Sequence, residues 1–142
     1  MNERVWTFEH SVECAASRNF AWAYWTNIAN WNDPPAKFEL DGPFAVGSQL
    51  TTTLPDQTLY CLIRYLEPGC AATIEMQLPD GVVSFHWTFE DLLETRSRIT
   101  QRLVLSTASS SLVAQARVLE QTVPQGMSKL IASIEKAAKG QT

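Results

Sequence analysis

Three polar side chains sit between apolar neighbours at strand spacing and are the residues best placed to do chemistry inside this chain. His10 alternates with Trp6, Phe8, Val12 and Cys14. Thr52 lies between Leu50 and Leu54, and Gln101 shares a face with Ile99, Leu103 and Leu105. An imidazole whose ordinary pKa is close to neutrality can contact a ligand or act as a general base. His10 is therefore the one candidate for catalysis, against the alternative of a core histidine hydrogen-bonded to backbone or water. An inward amide or hydroxyl can orient a ligand carbonyl or hydroxyl, and it can equally satisfy an internal network.

The other polar groups point outward. Glu9, Glu13, Glu75 and Glu90 fall on the polar faces of their segments, as does His86. Arg96, Arg98 and Arg102 form a basic stripe along one exposed strand face, where cross-strand pairing with carboxylates such as Glu90 is expected. Two histidines on opposite faces make a poor metal site, and neither HxxxH nor HExxH occurs. There is no nucleophile elbow and no glycine-rich phosphate loop, since "GPFAVG" is a turn with no long helix behind it. No metal and no cofactor is expected. Cys14, Cys61 and Cys70 are odd in number and form no CxxC pair, which favours buried thiols over a disulfide framework.

Aromatic residues give the stronger hint. Phe8, Phe85, Trp87 and Phe89 occupy faces expected to look inward, and Trp25 and Trp31 come from a short helical region. With Leu50, Leu103 and, from the C-terminal helix, Met127 and Ile131, they join His10, Thr52 and Gln101 as candidate ligand-binding residues. A set of this size can be core, or it can line a cavity that favours a flat or greasy molecule.

The elements that must position these residues are legible from their punctuation. The alternation from Trp6 to Cys14 predicts a half-buried strand. Ser17 offers an N-cap to a short aromatic helix carrying Phe20, Ala21, Tyr24, Trp25 and Ile28, which Pro34-Pro35 must stop. Strands are then expected at Lys37–Leu40, Ser48–Leu54, Leu59–Leu66, Ala72–Leu78, Val82–Glu90 and Arg96–Ser106. Turns are expected at Asp41-Gly42, Pro55-Asp56, Glu67-Pro68-Gly69, Pro79-Asp80-Gly81 and Asp91–Glu94. Connections this short make successive strands antiparallel neighbours. From Leu112 the period changes: Leu112, Ala116, Leu119, Val123, Met127, Leu130, Ile134 and Ala138 form one stripe. The stripe keeps its phase across Pro124, so one long helix kinked at that proline is expected, ending near Gly140.

The totals set limits on function. The 142 residues form one expected domain, residues 1–142, long enough to bury roughly 68–70% of the unfolded surface. A net charge of -4 gives no general pull toward nucleic acid or anionic lipid. "MNERVWTFEH" has no apolar leader core, and no apolar run is long enough for stable membrane insertion. A cytoplasmic location is expected, and a homodimer remains open.

"SRNFAWAYWTNIANW", "FELDGPFAVGSQL", "SRITQRLVL" and "VPQGMSKLIASIE" together resemble the polyketide cyclase/dehydrase-like branch of the START and Bet v 1-like (SRPBCC) superfamily. The resemblance runs from about residue 5 to residue 138 and rests on sizes and turns without an invariant reactive group. It implies an α+β helix-grip fold: a curved antiparallel sheet of six to seven strands wrapped on a long C-terminal helix, with short helices after the first strand. The expected function is binding of an apolar or aromatic small molecule between sheet and helix. One alternative is a cyclase/aromatase- or dehydratase-type enzyme using the same cavity, with His10 and Gln101 or Thr52 assisting proton transfer. Another is a protein-interaction module whose cavity is closed.

Overall fold

The structure, a computed structural model, describes residues 6–31, 35–78, 81–105 and 110–140. Seven strands form one antiparallel sheet: β1 (Trp6–Cys14), β2 (Lys37–Leu40), β3 (Gln49–Thr53), β4 (Thr58–Glu67), β5 (Ala71–Leu78), β6 (Gly81–Leu93) and β7 (Arg96–Leu105). Their spatial order is β1-β7-β6-β5-β4-β3-β2, so every chain-adjacent pair from β2 to β7 is a hairpin and β1 closes on β7. Helix α1 (Arg18–Trp25) and a 3-10 turn (Ile28–Asn30) follow β1, and α2 (Ser110–Arg117) and α3 (Leu119–Lys139) follow the sheet. This is the expected helix-grip α+β architecture. No helix among the described residues is long and apolar enough to cross a membrane.

Local chemistry explains most boundaries. Ser17 has extended backbone and its side chain accepts from Phe20 N–H at 3.1 Å, which caps α1. Between β4 and β5 the Cys70 N–H donates to Glu67 C=O at 2.9 Å, with Pro68 second and Gly69 third in the turn. Gly69 has φ +80°, the conformation a type II turn demands at its third residue. The Pro34 stop, the Pro79-Asp80 turn and Ser106 lie outside the described residues.

Two boundaries differ from expectation. The β6–β7 hairpin stays paired beyond Glu90, through a bulge between Asp91 and Leu93, so that only Glu94 and Thr95 turn the chain. The C-terminal stripe is two helices, interrupted at Val118, and Pro124 lies within α3. Proline cannot donate to the carbonyl four residues back and its ring crowds that carbonyl, here Glu120. That lost bond lies inside α3, whereas the interruption falls at Val118, and the buried stripe continues from Leu112 and Ala116 to Val123, Met127 and Ile134.

Helix α3 does not lie along the middle of the sheet. Its backbone approaches β1 more closely than any other strand. Trp6 Nε1 donates to Glu120 Oε2 at 2.8 Å, and Ala15 N–H donates to Glu135 Oε2 at 2.8 Å. One carboxylate near each end of the helix thus fastens it to one end of β1, with helix and strand running in the same direction. A sheet of seven strands is about 29 Å across, whereas a helix with its side chains spans about 10–12 Å. A helix held over one edge must leave the far concave side to other groups. There Leu50, Cys61, Ile63, Ala72 and Ile74 are buried, with Trp25, Phe44, Trp87 and Phe89 joined through ring contacts above the sheet.

Ile134 is fully buried on α3. Truncating it removes packing from the gripping face, and Ile134→Ala is expected to cost about 2–5 kcal/mol in urea denaturation. A loss below about 1 kcal/mol would mean that the helix is not held by its apolar stripe.

Candidate functional site

Between the middle of α3 and the sheet lies a cavity of about 260 Å³. Its sheet wall is Trp87, Gln101 and Phe38; its helix wall is Val123, Gly126, Met127, Lys129, Leu130 and Ser133. Tyr24, Trp25, Asn30 and Trp31 make the third side. Gly126, Lys129 and Ser133 are solvent-exposed and mark the side that opens outward. The cavity exists because α3 leans toward β1 and the aromatic corner after α1 stands on the opposite flank.

That corner is built around Trp25, 2% exposed, whose ring contacts those of Trp22, Trp31, Phe44, Trp87 and Phe89 at centroid distances of 4.7 to 6.1 Å. Trp31 Nε1 donates to Trp25 C=O at 2.7 Å, and Asn30 Nδ2 donates to Tyr24 C=O at 3.0 Å. These two side chains spend their donors in holding the corner together.

Gln101 is different. Only two polar residues among those described are buried, Ser97 and Gln101. Ser97 Oγ donates to Ala16 C=O at 2.9 Å and so is satisfied. Gln101 is 5% exposed, and among the described residues its amide makes no side-chain hydrogen bond; it faces the cavity. Its amide atoms are open to the cavity, so water meets them in the empty site and a ligand with matching groups would take that water's place.

Cross-strand register fixes the surroundings of each sequence-derived candidate. His10, Gln101 and Trp87 form one row on the concave face, and Phe8, Leu103 and Phe85 form the next. Trp25, Trp31, Trp87, Gln101 and Met127 come together on the cavity wall. Phe8, His10, Leu50, Thr52, Phe85, Phe89, Leu103 and Ile131 are not among its lining residues. For His10 and Phe8 the cause is the approach of α3 to β1, the strand that carries both. Thr52 is paired with Phe38, and it is the Phe38 ring that reaches the void. Leu50, Phe89 and Leu103 are buried in the core, at 4%, 3% and 0% exposure. His10 is thus the cross-strand neighbour of Gln101 without lining the cavity, and Thr52 stands apart from both on β3.

Tyr24, Val123 and Leu130 carried a usable signal, since each lies in a helical apolar pattern. Gly126, Lys129 and Ser133 carried none, because exposed helix positions line a cavity only for one particular helix tilt.

The opposite face of the sheet is polar and paired. Arg96 Nη2 donates to Glu13 Oε1 at 3.0 Å, and Arg98 lies 3.9 Å from both Glu13 and Glu90. His86 faces this side, with Nδ1 at 3.0 Å from the Thr73 hydroxyl. These contacts fit a solvated outer surface, where such pairs contribute little each.

Compared by sequence, the chain matches no family model and no curated protein. Compared by structure, it resembles norcoclaurine synthase from Thalictrum flavum, solved in complex with dopamine and hydroxybenzaldehyde, at TM-score 0.70 and 17% identity over 99% of this chain and 90% of that one. Protein MLL2253 from Mesorhizobium loti gives TM-score 0.78 at 14% identity, over 92% and 98%. The di-domain ARO/CYC protein BexL from the BE-7585A biosynthetic pathway gives 0.74 at 12%, over 92% of this chain and 47% of that one. The fold is the Bet v 1-like helix-grip fold. At these identities the likeness of this chain to its neighbours is one of backbone architecture.

The three thiols lie away from the cavity. Burial pushes Cys61 up to about 11, and burial followed by the nearby Glu135 carboxylate pushes Cys14 up to about 11. Cys70 is half-buried and accepts from Arg18 Nη1 at 2.8 Å, while Arg18 Nε lies 3.3 Å from Asp91 Oδ2 without hydrogen-bond geometry. Iodoacetamide at pH 8 is expected to alkylate Cys70 alone in the native protein and all three thiols after denaturation, as counted by intact mass. Because the two buried thiols are protonated more firmly when folded, their contribution to stability is complete below pH 9 and falls as pH rises from 9 toward 11. Equal labelling rates for Cys14 and Cys70 would contradict this burial.

Proposed function

We propose that the protein binds a small, largely apolar aromatic molecule in the cavity between sheet and α3. The observation that carries the reading is the inward Gln101 amide, without a side-chain hydrogen bond among the described residues, on the sheet wall of a void lined mainly by aromatic and aliphatic side chains. Small-molecule sites are concave, mostly apolar and furnished with a few placed polar groups that fix orientation. Trp25, Trp31, Trp87 and Phe38 supply ring surface, and Val123, Met127 and Leu130 supply aliphatic surface. An unfilled space of about 260 Å³ speaks against a closed interior used only as a scaffold for protein contacts. A reaction routed through His10 gains no support from a wall that does not include it. The three free cysteines fit a reducing, cytoplasmic setting.

Native mass spectrometry of gently purified protein is expected to show an adduct of small-molecule mass that disappears on denaturation. A matching aromatic added at a hundredfold excess over its Kd should stabilise the fold by about 2.7 kcal/mol, raising Tm by roughly 5–10 °C. An unliganded mass together with no Tm shift across a panel of one- and two-ring aromatics would overturn the proposal.

A further inference from the structure

We infer, resting on the cavity-binding reading above, that the ligand is a flat aromatic of one or two rings presenting a neutral lactam or carboxamide edge to Gln101. Size comes first. An apolar cavity of about 150 Å³ accommodates benzene, and the same ratio places roughly ten non-hydrogen atoms in this one. That is one substituted ring or two fused rings, and it is too little for a three-ring system to be enclosed.

Shape comes from the indoles. Trp25 and Trp87 have ring centroids 4.7 Å apart with planes inclined by 35°, and Trp25 and Trp31 are 6.1 Å apart at 30°. Indole planes this close to one another, facing the aliphatic α3 side chains, form a wall that favours a planar guest by offset ring contact.

The polar edge follows from the amide. A carboxamide holds a donor NH2 and an acceptor oxygen in one plane. A lone carbonyl or ether on the ligand satisfies only one of the two, whereas a lactam or primary amide satisfies both with two parallel hydrogen bonds. The buried side chains of the wall carry no charge, and the ammonium of Lys129 stands on the exposed side. An ionised group brought against Gln101 would be desolvated without a counter-charge, so a neutral edge is selected.

Equilibrium dialysis of the full chain against 2-quinolone, its hydrocarbon analogue naphthalene, and the three-ring lactam acridone tests this. Wild type is expected to hold 2-quinolone about tenfold more tightly than naphthalene. Gln101→Leu should remove that preference and leave naphthalene unchanged, with the nearly isosteric Gln101→Met as the second variant if the first does not fold. Acridone should bind at least tenfold more weakly than 2-quinolone, and Leu130→Ala, which widens the helix wall, should recover it. Equal affinity for 2-quinolone and naphthalene, or an equal loss of both in Gln101→Leu, would overturn the amide-edge inference while the cavity reading stands. Tight binding of acridone to wild type would overturn the size limit. Retention of none of the three, naphthalene included, would overturn the cavity reading itself.

Discussion

Two carboxylates decide the shape of this interior. Glu120 accepts from the Trp6 indole and Glu135 from the Ala15 backbone, one near each end of α3, and both hold the helix along β1. Neither contact is strong by itself. Hydrogen bonds to charged groups contribute about 1.5–3 kcal/mol, and Ala15 is exposed. Their effect is geometric: two anchors at opposite ends of a rod fix its direction as well as its position. A sheet about 29 Å wide then has a helix over one edge only, and its far concave side must be covered by something else. The aromatic corner after α1 does this in part. The uncovered remainder is the cavity.

The same constraint explains why the polar groups of the concave face behave differently. Ser97 lies at the closed end of β7, where the chain leaving β1 supplies the Ala16 carbonyl. Gln101 lies two pleat repeats further along, where the facing wall is mainly apolar side chains and open space. A protein selected for stability alone would place a leucine there, as it does two residues on at Leu103. The amide at that position is what the proposed binding role rests on.

Much of this was legible from residue order. Period-two alternation located the strands, and the placement of Gln101 between Ile99 and Leu103 was enough to turn it inward. The Ser17 cap and the Glu67-Pro68-Gly69 turn followed from local backbone chemistry. What could not be read was the relation between elements. Strand alternation gives a face to His10 and Phe8 but cannot say that α3 closes over β1. Helical spacing gives a buried stripe to Met127 and Ile134 but cannot say that exposed Gly126, Lys129 and Ser133 border a cavity. Pro124 suggested a kink at its own position, whereas the interruption falls at Val118 and the proline is carried inside α3.

The account stands on the Gln101 amide having no partner inside the protein, and its stability effect is the most direct measure of that. Wild type and Gln101→Leu, both freed of ligand by refolding from denaturant, would be compared by urea denaturation. An amide that awaits a ligand predicts a variant at least as stable as wild type. A loss of more than about 1 kcal/mol would show that the amide is already satisfied within the fold, and would contradict the account.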